Sequence, residues 1–167
     1  MKNKAFDDGL AMRKKVLGAA YVEKTLQDAD ELLLPFQELL TEFAWGSVWT
    51  RPGLSLKTRS MLTVAMCIAL NRPHEVKLHL RGALRNGCTK VEIRELLLQS
   101  FIYCGGPASV DAANLIRTAL PEIEAEEKAE KNKARLARGS KQSAAKEKMP
   151  RAVKSAPKAK TQSAPVS

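Results

Sequence analysis

The sequence predicts an all-α fold: a compact domain of six helices followed by a basic tail. Three observations carry this. Apolar residues recur at three- and four-residue spacing through the first 123 residues. No segment alternates apolar and polar residues with the period of two that a strand needs. The breaks between periodic segments fall at Pro and Gly, which punctuate helices.

Leu10, Val16, Leu17 and Ala20 mark the first helix, with Arg13, Lys14 and Lys15 between them. The second runs from Asp30 to about Val48 through Leu33, Leu34, Phe36, Leu40, Phe43 and Ala44, and Pro35 marks its first turn. Trp45-Gly46-Ser47-Val48-Trp49-Thr50-Arg51-Pro52-Gly53 ends it in a loop, with Pro52 and Gly53 as turn residues. Ser55 is placed to cap the third helix. Its run from Ser60 to Leu70 carries no charge, which predicts a helix buried on most sides.

Arg72-Pro73 breaks that helix, because proline disfavours helical backbone in the residue before it. The fourth helix covers Pro73 to Asn86 and stops at Gly87, a left-handed cap. Thr89-Lys90-Val91-Glu92 opens the fifth with a capping box, and Ile93, Leu96, Leu97 and Ser100 form its inward face. Gly105-Gly106-Pro107 separates it from the sixth helix, Ala108 to Leu120, which Pro121 is expected to stop.

The chain of 167 residues thus divides into a helical domain over 1–123, a charged helical extension over 124–139 and a disordered tail over 140–167. Net charge supports the division. Residues 1–123 carry 16 Lys+Arg against 13 Asp+Glu, and residues 124–167 carry 12 against 5. The tail has too few large apolar residues to offset the entropy of ordering. Such a tail keeps a protein in solution, or touches polyanions such as nucleic acid through charge alone. It has no aromatic residue on which bases could stack.

No apolar run is long enough to span a membrane, and the N-terminus has no apolar signal core, so a cytoplasmic protein is expected. Cys67, Cys88 and Cys104 are odd in number and lack a CxxC, which argues against a disulfide framework and a zinc knuckle. With two histidines, His74 and His79, no metal site is expected.

Several residues could carry chemistry. Glu75 and His79 are four apart on the fourth helix and share a face. A carboxylate there can orient the imidazole and raise its pKa, although the same spacing also describes an ordinary surface pair. Arg59 lies at the edge of the uncharged helix and must find an anion or water, either Glu75 or a substrate carboxylate. Arg51 flanks the same turn. Trp45 and Trp49 would share a face if helix persists, as one wall of a pocket or as plain core. Tyr103 precedes the double glycine, where backbone can approach a ligand or make a simple corner.

These residues lie in stretches that closely resemble the γ-carboxymuconolactone decarboxylases of protocatechuate breakdown. The most specific is Phe43-Ala44-Trp45-Gly46-Ser47-Val48-Trp49-Thr50-Arg51-Pro52-Gly53-Leu54 with Thr58-Arg59-Ser60. Glu75-Val76-Lys77-Leu78-His79-Leu80-Arg81 fits as well. So do Gly9-Leu10 with Arg13 and Val16-Leu17-Gly18, Asn86 to Glu92, and Tyr103 to Ser109. The likeness spans about residues 7–120. The wider superfamily holds alkylhydroperoxidase-type proteins with a CxxC pair ahead of the histidine. Here the matching positions are Arg72 and Glu75, which speaks against thiol peroxidase chemistry. Two features depart from the decarboxylase pattern, Cys104 in place of a small residue and the basic tail.

The resemblance implies the alkylhydroperoxidase-like helical fold, a homo-oligomer (trimer or hexamer) and no cofactor. It implies as substrate a small dicarboxylate lactone, 4-carboxymuconolactone, which loses CO2 to give the β-ketoadipate enol-lactone. The electrons left by CO2 flow through the ring double bond into the lactone carbonyl, so the substrate is its own electron sink. Arg51 and Arg59 suit the two carboxylates. His79 held by Glu75 suits proton delivery, or hydrogen bonding to the carbonyl. Trp45, Trp49 and Tyr103 would line the site. A divergent member with peroxidase activity, or one acting on another lactone or keto acid, is the alternative.

Overall fold

The computed structural model describes residues 3–147, and among them every regular element is helical. In chain order these are α1 (Lys4–Leu17), α2 (Ala19–Gln27), α3 (Leu34–Leu40), a π-helical segment (Thr41–Trp49), α4 (Leu56–Ala69), α5 (Pro73–Arg85), α6 (Lys90–Cys104) and α7 (Gly106–Glu147). The all-α class holds, with seven α-helices where the periodicity suggested six.

The extra helix arises at Gly18, whose φ of 97° lies in the left-handed region that favours glycine. It ends α1 and restarts the chain as α2 without breaking the apolar period, so the sequence reads as one helix. The local signals elsewhere hold. Ser55 accepts from the Thr58 amide at 3.0 Å. Gly87, at φ 89°, closes α5. The Thr89–Glu92 capping box forms in both directions.

Three expectations are corrected, and Arg13 adds a finding on which the periodicity was silent. The segment Thr41–Trp49 is π-helical, not the end of an α-helix followed by a loop. Arg13, one of the cations between the apolar positions of α1, is buried. Pro121 lies inside α7 and does not end it. Its missing N–H removes one backbone bond. Buried Ala119 and Ile123 fix the helix on either side, and Lys77–Glu122 (2.8 Å) and Lys90–Glu124 (2.9 Å) tie it to α5 and α6. Finally, α4 is buried along Ser60, Val64 and Ile68 only, while Leu62, Met66 and the capping Leu70 face outward.

The first compact unit ends at Ala125, and a second begins at Glu126, described as the continuation of α7 to Glu147. That helix reaches eight residues into the stretch expected to lack structure, and residues 148–167 lie outside the described residues. No described helix is long and apolar enough to cross a membrane.

Two cores organise the first unit. One joins Val64 and Ile68 of α4, Leu80 of α5, Ile93 of α6, and Ile116 and Ile123 of α7. The other joins Val16 and Leu17 of α1, Val22 of α2, and Trp45 and Trp49 of the π segment. Helix α5 borders both: Val76, Leu80 and Ala83 enter the first, and Leu78 packs on the second.

Candidate active site

The site begins with the hairpin of α4 and α5. Asn86 at the end of α5 donates to Ser60 Oγ near the start of α4 at 2.9 Å, so the two helices run antiparallel. Arg59, Thr63 and Cys67 then form a half-buried stripe at four-residue spacing along α4. Glu75 and His79 lie toward the opposite end of α5. Glu75 is close enough to Cys67 for its charge to join burial in pushing that thiol's pKa up.

His79 Nε2 lies 3.7 Å from Glu75 Oε2, an ion pair when the ring is protonated but too long for a hydrogen bond. The imidazole is mostly buried. Burial pulls its pKa below the ordinary value, and the opposing pull of Glu75 is the smaller effect. Glu75 does raise the pKa as expected, but burial outweighs it: the carboxylate is half-exposed and screened, while the ring is desolvated.

Arg59 does not pair with Glu75. Ser60 faces Asn86, eleven residues beyond Glu75, which is about 16 Å along a helix at 1.5 Å per residue. The Arg59 guanidinium instead donates from Nη2 to the Arg51 carbonyl oxygen at 3.0 Å, and its buried Nε has no partner. Among the described residues Arg59 forms no ion pair. Arg51 contributes its backbone to this contact, and its side chain is exposed in the loop before α4.

Trp45 and Trp49 stack with ring centroids 4.7 Å apart and planes inclined by 30°. Both are buried in the second core, against which Leu56 of α4 and Leu78 of α5 pack. The second core thus adjoins α4 and α5, the helices that carry Arg59 and His79. Tyr103 lies elsewhere. It is 78% exposed and lines an open groove of about 510 Å³ with Met61, Leu62, Leu96, Ser100 and Cys104. Helix α4 divides its side chains between this groove and the Arg59 stripe.

The structure therefore brings together Glu75 with His79, Arg51 with Arg59, and Trp45 with Trp49, and leaves Tyr103 in a separate groove. Arg13 was absent from the candidate residues. A signal for it exists: Phe6, Gly9, Arg13 and Val16, all buried, follow the three–four–three spacing of a single helix face.

The model of the carboxymuconolactone decarboxylase family matches residues 35–118, which include all seven candidate residues. The chain belongs to this family. It is 47% identical over 112 residues to a nitrosuccinic acid decarboxylase of Metarhizium robertsii, covering 67% of this chain and 78% of the relative. It is 39% identical over 118 residues to a 4-carboxymuconolactone decarboxylase of Acinetobacter baylyi, covering 71% and 88%. An uncharacterised 15.0 kDa protein of Paracoccus denitrificans is 32% identical over 90 residues, or 52% and 66% of the two chains.

Proposed function

We propose that this family member is a decarboxylase of small dicarboxylic acids whose departing carboxylate is conjugated to an electron acceptor, with 4-carboxymuconolactone as substrate. The observation that carries this reading is Arg59, a half-buried guanidinium with no acidic partner, on the same α4–α5 hairpin as Glu75 and His79. An unpaired cation there suits a carboxylate ligand, which it can grip through two parallel N–H donors. Arg51, free to turn inward from its loop, takes the second carboxylate.

The electron pair released with CO2 passes into the lactone carbonyl, and the ring carbon beside that carbonyl then needs a proton. His79 supplies it. In the free protein the ring is held neutral by burial. A bound dianion reverses that balance, because nearby negative charge favours the imidazolium. Substrate binding thus loads the acid that the reaction consumes. Glu75 is placed to pair with the ring once it is protonated. Trp45 and Trp49 back the site with apolar surface, which disfavours the charged carboxylate relative to the dispersed charge left by CO2 loss.

A second substrate is favoured by a specific observation, the 47% identity to a nitrosuccinic acid decarboxylase. A nitro group can accept the electron pair as a lactone carbonyl does, and nitrosuccinate is also a dianion. The same arginines and the same proton donor would serve it. The test is to give purified protein each compound in turn and follow CO2 with the organic product. Release from 4-carboxymuconolactone with formation of the enol-lactone is expected. Turnover of nitrosuccinate alone would move the chain to the second substrate, and turnover of neither would end the decarboxylase reading.

The working form proposed is a homo-oligomer, a trimer or hexamer. Leu62 and Met66 of α4, Leu70 just beyond it, and Ile102 of α6 are exposed, and α3 has no buried residue. A seven-residue helix is too short to persist in water without tertiary packing, and apolar surface on this scale marks an association face. Light scattering on the purified protein should give a mass of three or six chains.

A further inference from the structure

Arg13 is a charged side chain only 3% exposed, at the contact between α1 and the chain from α3 into the π segment. Its Nη1 donates to Thr41 Oγ1 at 3.0 Å and its Nη2 to Gln37 Oε1 at 2.7 Å, while its Nε has no partner. Both acceptors are neutral, and among the described residues no carboxylate pairs with it. Packing alone gives no reason for a cation here. An apolar side chain of similar length would fill the space without the desolvation penalty.

The two acceptors share one property: they flank the point where the helix changes type. Gln37 opens the last turn of α3, and Thr41 is the first π-helical residue. The Thr41 amide is shared between the carbonyls of Gln37 and Glu38, four and three residues back, so the ladder still has α and 3-10 spacing at the point where the π segment begins. The Thr41 hydroxyl receives the Arg13 hydrogen and passes its own to the Gln37 carbonyl at 2.7 Å. Arg13, Thr41 and Gln37 therefore form one relay across the junction of α3 and the π segment.

The chain beyond this junction builds the site. A one-residue change of helical register rotates all later residues by about 100°. Those residues are the stacked Trp45 and Trp49, then Arg51, whose carbonyl holds the Arg59 guanidinium. We propose that Arg13 is a positioning residue: through Thr41 and Gln37 it fixes the π-helical register that places the tryptophan stack and the Arg51–Arg59 contact. Its effect on catalysis rests on the role given above to Arg59, and its effect on the stack does not.

Close glycine contacts, Gly9 on Thr41 and Gly46 on Ala5, keep α1 against the π segment without Arg13. Loss of Arg13 is thus expected to leave the protein folded with its register unset. The test uses Arg13→Met, Arg13→Lys and Thr41→Val in the full chain. Two stacked indoles couple their electronic transitions and give a paired circular-dichroism band, assigned by its loss in Trp45→Phe. Arg13→Met should melt cooperatively and lose most of that band. It should also raise KM by about tenfold with a smaller change in kcat, the pattern of lost binding geometry. Arg13→Lys, a point charge that can reach one acceptor, should restore part of both. Thr41→Val, which keeps the shape and removes the hydroxyl, should weaken the band in the same sense.

An unchanged band in Arg13→Met would overturn the proposal. If the Arg13 variants fail to fold, Thr41→Val decides, and an unchanged band there overturns it equally. A lost band in a protein that turns over neither substrate before mutation would leave the register role standing and the decarboxylase reading refuted.

Discussion

The two cores are built by different means. Around α4 to α7, large side chains interdigitate: Ile68, Leu80, Ile93 and Ile123 are each fully buried and packed on one another's helices. Between α1 and the π segment, close backbone-on-backbone contact is added to the side-chain packing of Val16, Leu17, Trp45 and Trp49. A Cβ on Gly9 would overlap the Thr41 carbonyl oxygen, and a Cβ on Gly46 would overlap the Ala5 carbonyl. The first kind of core tolerates small shifts of side chains. The second fixes main-chain geometry, which suits a segment whose task is to aim Trp45, Trp49 and Arg51. Substitutions that add or remove atoms should therefore act with opposite severity in the two regions.

The largest effect is expected from Leu80→Ala, which empties the side-chain core and should cost about 2–5 kcal/mol by chemical denaturation. His79 sits on the same helix between the two cores. In folded protein His79→Ala should lower kcat by about 10²-fold or more, the usual scale for a proton donor. Near-native turnover with an intact melt would remove it from the mechanism.

Gly46→Ala comes next. One added methyl group must push α1 away, at about 1–3 kcal/mol. Its control is Gly53→Ala, where a Cβ meets nothing and the change should stay within about 0.5 kcal/mol. Equal effects at the two glycines would dissolve the contrast between the cores.

Smaller effects should appear in the pH dependence of stability. Lys57, 2.6 Å away, and the Thr89 amide hold the Glu92 carboxyl down to a pKa of about 2 from its ordinary 4.5. A depressed carboxylate stabilises the fold above its unfolded value, so this contribution is present above pH 4.5 and is lost as pH falls toward about 2. Glu92→Gln should flatten that acid limb. His79 acts at higher pH. Its ring binds a proton less readily when folded, so stability should decline as pH drops below 6.5, and His79→Gln should remove the decline.

The least effect is expected at the thiols. Cys88 is buried, and burial pushes its pKa up as it does that of half-buried Cys67. Cys104 lines the Tyr103 groove, apart from Glu75 and His79. The double variant Cys88→Ser, Cys104→Ala should keep most decarboxylase activity. Robust peroxide turnover by the wild type, abolished by Cys104→Ala, would instead place the chain with the thiol peroxidases.

Much of the fold was legible because its signals are local. Ser55, Gly87 and the Thr89–Glu92 box each act within four residues, and the caps form where they stand in the sequence. The Glu75–His79 spacing was equally legible, since an i,i+4 pair follows from helix geometry alone. Pro121 misled because its local preference is outweighed by buried Ala119 and Ile123 and by two ion pairs to other helices.

The sequence by itself determined the helical class, most helix ends and the membership of the Trp-Gly-Ser-Val-Trp run in a recognisable family, because periodicity, capping and motif are properties of neighbouring residues. Only the tertiary structure decided the π register, the burial of Arg13 and the separation of Arg59 from Glu75. Each of these depends on which backbone lies across from which. Gly46 permits a π-helical segment, but Ala5, Gly9 and Arg13 of a different helix hold it there. The partner of Arg59 was likewise fixed by the antiparallel alignment of α4 and α5, which sets Ser60 beside Asn86 and leaves Glu75 a long helix-length away.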